Sequence, residues 1–172
     1  MTIDATLKAS ISVSQAGSNA FGGPTWSGAF EFLKNFANGV AADQADIAYV
    51  AERTVTTGAN DDIDLAGVLA DALGTTLTMA KLVAMLLINR QKDGTANTTN
   101  LTIGLGTNPF LGFLGGTVPT IGPITPGGVF MVSNPALAGL GSITGASNDI
   151  LRVANSAGAT NKYLIALLAR SA

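Results

Sequence analysis

The feature that most constrains this chain is a long stretch without charge. From Gly94 to Asn148 the sequence contains no Asp, Glu, Lys or Arg. Many of its residues are apolar, yet Pro109, Pro119 and Pro123, together with frequent glycines, interrupt it. Proline removes a backbone donor and breaks helices, so a membrane-spanning helix is not expected here. Because a free surface needs charge to stay soluble and monomeric, the stretch is expected to be buried in the chain's own core or against a partner.

The overall composition narrows the class of protein. The chain has 172 residues, which suits one domain, and it contains neither cysteine nor histidine. Charged residues make up 12%, about half the usual ~25%, and the net charge is −2 with no basic cluster. Nucleic acid is held largely by Lys and Arg, so no nucleic-acid partner is expected.

Two features bear on location. The N-terminus lacks a basic segment followed by an apolar one, so no signal peptide is expected. The longest aliphatic run, Leu82 to Ile88, is far shorter than the ~20 residues of a membrane helix. The chain is therefore expected to be made and kept in a cytosol until it joins a larger assembly, with no membrane partner.

Strand patterns dominate the sequence. Thr6–Ser14 and Ile47–Val55 alternate between apolar and polar residues, and Leu82–Ile88 is apolar on both faces, as in a central strand. Further strands are predicted in NLTIGLG, GVFMVS, DILRVAN and KYLIALLA. Some eight strands separated by turn residues predict an all-β fold, an antiparallel β-sandwich that is jelly-roll-like with an N-terminal arm.

The N-terminal region predicts a separate segment. Residues 15–28 are rich in Gly and Ser, which is typical of a linker or arm. The predicted division is therefore an N-terminal strand and flexible arm over residues 1–28 and a β-sandwich domain over 29–172. Residues 26–39 fit either a helical stripe or a strand, and their phenylalanines favour a strand.

The stretch TTGANDDIDLAG places Asp61, Asp62 and Asp64 within four positions. Its spacing resembles the first half of an EF-hand loop. However, Ala66 and Leu73 stand where further oxygen ligands are required, so no metal is predicted.

Two structural interpretations of the aspartates remain. In one, Asn60 or Asp61 caps a short helix, DLAGVLADAL, that ends at Gly74. In the other, the segment is a strand whose Ile63 and Leu65 point inward while the aspartates at 62 and 64 face water.

No motif of catalysis or cofactor binding is present. Ser142 lies among glycines, but no histidine exists to activate it, and the glycine-rich segments lack the phosphate-binding patterns. Glu31 and Glu52 are the only glutamates, and nothing in their spacing singles out a hydrolase pair. The sequence therefore predicts no enzyme, no catalytic residue and no cofactor.

Large apolar residues in loop-like segments are the candidate contacts. The segment TNPFLGFLGG is bounded by Gly and Pro, and loop backbone is seldom buried within its own domain. The arm carries two aromatic anchors. The predicted interface residues are Phe21, Trp26, Phe110, Leu111, Phe113 and Leu114.

Four segments carry a family resemblance. They are ANGVAADQADIAYVAERTVTTGANDDIDLAG, GTTLTMAKLVAMLLIN, ITPGGVFMVSNP and NDILRVANSAGATNKYLIALLA. From Ala37 to the C-terminus the chain resembles a family of small tailed-bacteriophage virion proteins, found as capsid decoration (cement) subunits or minor tail components. The resemblance implies a β-sandwich with a structural role and carries no catalytic residue. The first thirty-odd residues lie outside it.

These expectations combine into a functional prediction. The chain is expected to be a capsid decoration protein of the virion that binds the major capsid protein and other copies of itself as a homo-oligomer. It would stabilise the head through buried interface area and not through chemistry. One alternative is a tail or tail-fibre subunit. Another is a glycan-binding receptor-recognition module that uses Trp26, Phe30, Phe32 and Phe36.

Overall fold

The computed structural model describes residues 2–67, 69–115 and 119–172. Within these ranges the chain forms antiparallel β-sheets and no helix. The predicted all-β sandwich is therefore confirmed.

Eleven strands follow one another along the chain. They are β1 (Ala5–Ala16), β2 (Thr25–Phe36), β3 (Ile47–Val55), β4 (Asn60–Asp64), β5 (Lys81–Ile88), β6 (Leu101–Gly104), β7 (Thr120–Ile124), β8 (Val129–Ser133), β9 (Gly141–Ser142), β10 (Ile150–Asn155) and β11 (Asn161–Arg170).

Eight of these strands have the connectivity of a jelly roll. One sheet has the order β3-β11-β5-β8, with the short β9 beside β5, and the other has the order β4-β10-β6-β7. All pairings between these strands are antiparallel. The chain changes sheet between β3 and β4, and again between β10 and β11, so each central strand has neighbours that are distant in sequence. This is the double-sheet arrangement that the alternating pattern predicted.

The core lies between the two sheets. Alternation along β3 places Ile47, Tyr49 and Val55 inward, and along β11 it places Tyr163, Ile165 and Leu167 inward. These residues meet Ile63, Leu101, Ile103 and Val153 of the facing sheet in one apolar cluster. A one-residue change of register would turn these side chains toward solvent, so burial specifies the pairing strongly.

The first two strands form a separate hairpin. β1 and β2 pair along their whole length, from Ala5 with Phe36 to Ala16 with Thr25. The strand interpretation of residues 26–39 is therefore correct over β2. The predicted boundary at residue 28 falls inside β2, since the strand begins at Thr25 within the segment that was expected to be a linker.

Buried polar groups tie the loops to the sandwich. Arg170 is fully buried, and its guanidinium donates to the carbonyl oxygens of Gln44, Pro135, Ala136 and Leu137 at 2.8–3.0 Å. Burial lowers the pKa of Arg170 from its usual range. The end of β11 thus holds two loops that lie far apart in sequence.

At the opposite end, Asn89 joins both sheets. Its amide nitrogen donates to the carbonyl oxygens of Thr99 and Ile124, each at 2.9 Å. Its side-chain oxygen accepts hydrogen bonds from Asn97 at 2.9 Å and Asn161 at 3.0 Å. The side chains of Asn89, Asn97, Thr99 and Asn161 form a polar network inside the sandwich. Asn89 and Asn161 have no exposed surface.

The helix-cap interpretation of the aspartate segment is wrong. Asn60–Asp64 is strand β4, and the described residues of the proposed helix, Asp64–Gly67 and Leu69–Gly74, form turns but no helix. Instead Leu77 donates from its backbone nitrogen to the Leu69 carbonyl at 2.7 Å. Val68 lies outside the described residues.

Candidate interaction surface

The hairpin has one apolar face and one polar face. Residues paired directly across two antiparallel strands project to the same side. The register therefore places Ile11 with Phe30, and Ala9 with Phe32, on one side. On the other side Ser10 pairs with Glu31, and Ser12 pairs with Ala29. We define the apolar hairpin face as Ala9, Ile11, Val13, Trp26, Phe30 and Phe32.

This apolar hairpin face is open to solvent. Phe30 is 75% exposed, Ile11 is 69% exposed and Trp26 is 57% exposed. The Trp26 indole lies over Gly28, where a Cβ atom would meet the ring at 2.7 Å. Because Gly28 has no side chain, the ring can lie along the strand and fill the position between Trp26 and Phe30 on this face.

The five-stranded sheet also has an apolar outer side. Its outward residues alternate with the core residues, so Val50, Ala166, Leu86 and Met131 form one row across β3, β11, β5 and β8. The next row contains Leu164, Ile88 and Val129, with Glu52 at its β3 end. We call these two rows the outer sheet face. Val50 is 70% exposed and Val129 is 61% exposed.

The root of the hairpin covers one end of this sheet. Phe36, Ala45 and Val83 are buried together, and Ala5, Leu7 and Leu168 pack against them. A register shift in the β5–β11 pairing lies beside Val83, where Leu168 pairs with Ala84 and Ala169 pairs with Leu82. This β-bulge turns Val83 toward the hairpin root, a known use of such irregularities.

Beyond the root, the outer sheet face forms an open groove in two parts. One part, about 380 Å³, lies between β1 and the row that contains Leu86 and Met131. The other, about 480 Å³, lies over Val50, Ile88 and Leu164. Leu86 and Ala166 line both parts, so the groove is continuous.

The aspartate cluster serves the fold in three different ways. Asp61 points inward and accepts hydrogen bonds from the Arg53 guanidinium at 2.5 and 2.6 Å and from the Tyr163 hydroxyl at 2.6 Å. Arg53 also donates to the Tyr49 hydroxyl at 2.8 Å. Since Asp61 lies on the four-stranded sheet and its partners lie on the five-stranded sheet, this cluster joins the sheets at their β3 and β4 edges.

The other two aspartates face outward, as the strand interpretation predicted. Asp62 binds Arg152 of the neighbouring β10 through two hydrogen bonds of 2.6 Å, and its hydrogen bonds to Arg152 lower its pKa. Asp64 accepts from the Ala66 backbone nitrogen at 2.9 Å. Among the described residues no group of three or more acidic, His or Cys side chains is placed to hold a metal ion.

The inward role of Asp61 was missed by the sequence analysis. The alternation that directs Ile63 and Leu65 inward also directs Asp61 inward. The same period places Arg53 on the inner side of β3 with Tyr49 and Val55. When alternation places a negative and a positive side chain on the inner faces of two strands, an ion pair across the core can be predicted, because a lone buried charge is strongly unfavourable.

Replacing Tyr163 with phenylalanine tests this cluster through its pH dependence. Burial, with the hydrogen bond to Asp61, raises the pKa of Tyr163 far above 10. The folded protein therefore keeps the phenol proton where the unfolded chain loses it. Stability is fully present below about pH 10 and falls by up to ~1.4 kcal/mol per pH unit above it.

Urea unfolding of wild type and Tyr163→Phe from pH 7 to 11 is the measurement. At pH 7 the variant should be less stable by about 1–2 kcal/mol, since one buried hydrogen bond is lost. Above pH 10 the difference should shrink, because only the wild type has this phenol. Parallel curves across the whole range would contradict the expectation.

The predicted contact loop is largely part of the core. Phe110 is 1% exposed and Leu114 is 9% exposed, and both were expected at an interface. Phe113 is half-buried, with its ring 6.0 Å from that of Phe110 and 5.9 Å from that of Phe130, measured between centroids. The prediction is wrong for Phe110 and Leu114, because the loop folds its apolar side chains back against the sandwich. Leu111 is half-buried.

The backbone of this loop explains how it can be buried. The Phe110 nitrogen donates to the Ile150 carbonyl at 2.8 Å, and the Ile150 nitrogen donates to the Asn108 carbonyl at 3.0 Å. The segment therefore has partners on β10 although it is not itself a strand. Gly116, at the far end of the predicted contact loop, lies outside the described residues.

The two predicted anchors in the arm are exposed. Phe21 is fully exposed at the tip of the hairpin, and Trp26 belongs to the apolar hairpin face. Their role as contacts stays a prediction. Of the four aromatics considered for a sugar platform, Phe36 is buried at the hairpin root, so Trp26, Phe30 and Phe32 alone share an open face.

Comparison with protein-family models, with curated proteins and with solved structures found no match. In the described part of the chain, no helix has the length and apolarity to cross a membrane. The surfaces of the chain are therefore the basis for a functional proposal.

Proposed function

We propose that this chain is a structural virion protein, a capsid decoration subunit that binds the outside of a phage head through apolar surfaces. Its proposed partners are the major capsid protein and other copies of itself. A position in the tail is the alternative within the same class.

One observation carries the proposal: two large apolar surfaces remain uncovered on one compact jelly roll. The apolar hairpin face presents three aromatic rings, and the outer sheet face presents valine, leucine, isoleucine and methionine side chains. Soluble monomers seldom leave contiguous apolar patches of this kind exposed, and such patches mark interaction sites.

The fold is compatible with this role without deciding it. Jelly rolls occur in viral capsid proteins and in lectins, and fold alone does not determine function. The resemblance of the segments from Ala37 onward to small phage virion proteins supports the virion assignment. In such a role the protein would contribute buried area, repeated by the symmetry of the shell, to hold neighbouring capsid subunits together.

A glycan-binding module is the second candidate, favoured by one observation. Trp26, Phe30 and Phe32 lie side by side on an open face, and aromatic rings are common contacts for apolar faces of ligands. Such a module would act at the host surface and would be present in few copies on each particle.

The experiment is quantitation of the chain in purified particles, followed by add-back. A decoration protein should be present in a fixed, high ratio to the major capsid protein. Adding the purified protein to heads that lack it should raise the temperature at which the genome is released. Absence from heads, or a few copies confined to tails, would overturn the capsid assignment. Binding of glycans that is lost in Trp26→Ala would favour the second candidate.

A further inference from the structure

Two apolar surfaces on the same chain require cover, and they differ in shape. The apolar hairpin face is a narrow strip two strands wide, whereas the outer sheet face forms a groove flanked by the hairpin root. We infer that the hairpin of one copy lies in the outer-sheet groove of a second copy, and that two copies exchange hairpins reciprocally. The inference rests on the proposed assembly role and specifies its self-contact.

The chain already shows one half of this contact within itself. The root of the hairpin packs on its own sheet through Leu7 and Phe36, which meet Val83 and Leu168. The apolar hairpin face continues the same side of the same two strands outward, from Ala9 to the tip. The groove likewise continues the surface that the root covers. A second copy's hairpin would therefore extend a packing mode that the chain uses already.

The charges agree with this pairing. Within the strand pairs from Ala9 to Ala16, the apolar hairpin face has no charged residue, because Glu31 projects to the opposite side. The row of the outer sheet face through Val50, Leu86 and Met131 is also uncharged. Three exposed charged residues border the groove, Lys8 at one part and Glu52 and Lys92 at the other. A hairpin that lies along the uncharged row leaves these charges at the rim of the contact, where they stay hydrated, and so avoids the cost of burying an unpaired charge.

The area favours reciprocal exchange over a single contact. The hairpin beyond its root spans roughly 26 Å by 10 Å at the usual rise per strand residue and strand spacing. One hairpin in one groove would bury on the order of 500 Å², which is less than stable complexes need. Two hairpins in two grooves would bury on the order of 1,000 Å², close to the lower limit of stable interfaces. This area treats the surfaces as flat, and the side chains that project from them would add to it.

Pairing of two hairpins with each other is a less favourable arrangement. It would cover the aromatic strip but leave Val50, Val129 and the leucines of the outer sheet face in water. Pairing of two outer sheet faces would leave Trp26, Phe30 and Ile11 in water. Only the hairpin-in-groove contact covers both surfaces. In a dimer with a two-fold axis both hairpins and both grooves are occupied, so no free surface remains to which further copies could add.

The first test is the mass of the protein in solution, measured by sedimentation equilibrium over a range of concentrations. Wild type should be a dimer. Phe30→Glu, on the apolar hairpin face, and Val50→Glu, on the outer sheet face, should each weaken dimerisation by roughly 100-fold or more, because the reciprocal dimer contains each substituted contact twice. Leu33→Glu is the matched control, since Leu33 is 60% exposed on the polar side of the same strand and should leave dimerisation unchanged. A wild-type monomer at all concentrations would overturn the inference.

The second test uses the absence of cysteine from the native chain. A Val13→Cys variant and an affinity-tagged Ala166→Cys variant are mixed and treated with a short bis-maleimide. The tagged and untagged chains should cross-link to each other, while Ser12→Cys, on the opposite side of β1, should not cross-link to Ala166→Cys. Cross-links only between two Val13→Cys chains would overturn the inference in favour of hairpin-to-hairpin contact.

The hairpin exchange and the proposed virion role can be supported or overturned separately. A dimer with the expected cross-links that is absent from particles supports the exchange and removes the virion role. A monomer that is present in many copies on heads would support the virion role and overturn the exchange. Both apolar surfaces would then be contacts for the capsid protein.

Discussion

Replacing Asp61 with alanine should lower the free energy of unfolding by about 3 kcal/mol, because it leaves a largely buried charge without its partner. The Arg53 guanidinium would lose both hydrogen bonds to the carboxylate, and Tyr163 would lose the acceptor of its hydroxyl. The Arg53 side chain is 24% exposed and can recover some hydration, so the cost should lie toward the lower end of the range for buried pairs.

The adjacent residue supplies the control. Asp62 binds Arg152 with the same two-bond geometry, but on the solvent side of β4, and its side chain is 43% exposed. Asp62→Ala should therefore cost less than about 1 kcal/mol. Urea unfolding of both variants at pH 7 is the measurement. Equal losses would show that the inward direction of Asp61 has no energetic consequence and would refute the assignment.

Replacing Asn89 with alanine should lower the free energy of unfolding by about 3–5 kcal/mol. Its amide donates two hydrogen bonds and accepts two, and each buried bond contributes roughly 1 kcal/mol net, with a further penalty when a partner is left unsatisfied. Both sheets lose a common attachment, since Ile124 belongs to β7 and Asn161 belongs to β11.

Asn148→Ala is the matched control for Asn89. The Asn148 side chain also makes hydrogen bonds with its oxygen and its nitrogen, to Thr144 and Ser142, but these join residues of one short segment that runs from the end of β9 to Asn148. Its loss should cost about 1 kcal/mol. If Asn89→Ala unfolds at the same urea concentration as Asn148→Ala, the network would not be a tie between the sheets.

The strands that the sequence predicted are those whose pattern is local. Ile47–Val55 is strand β3 over the predicted residues, and the run from Leu82 to Ile88 is apolar on both faces because one face meets the core and the other forms the outer sheet face. β7 and β9 were not predicted. β9 has only two residues, Gly141 and Ser142, too few for a period to be visible.

The candidate surface was harder to predict for a physical reason. A loop rich in large apolar residues, such as that around Phe110, is exposed or buried according to which strand edge its backbone can reach, and that edge lies on β10. The apolar hairpin face follows from alternation in β1 and β2 once they are known to pair. The pairing itself depends on contacts that no single-strand pattern contains.

The central position of β11 has a consequence for how the protein is made. β3 and β5 do not pair with each other, because β11 lies between them. During synthesis β5 can pair earlier with β8 and β9, but β3 cannot gain its only neighbour, nor β5 the neighbour on its other edge, until the residues of β11, up to Arg170, have left the ribosome. Until then each of the two strands has an unpaired edge that β11 will cover. Long-range pairings of this kind fold slowly and expose the nascent chain to aggregation. Premature termination before residue 161 should therefore yield insoluble material, which makes the protein's abundance sensitive to translation errors along its whole length.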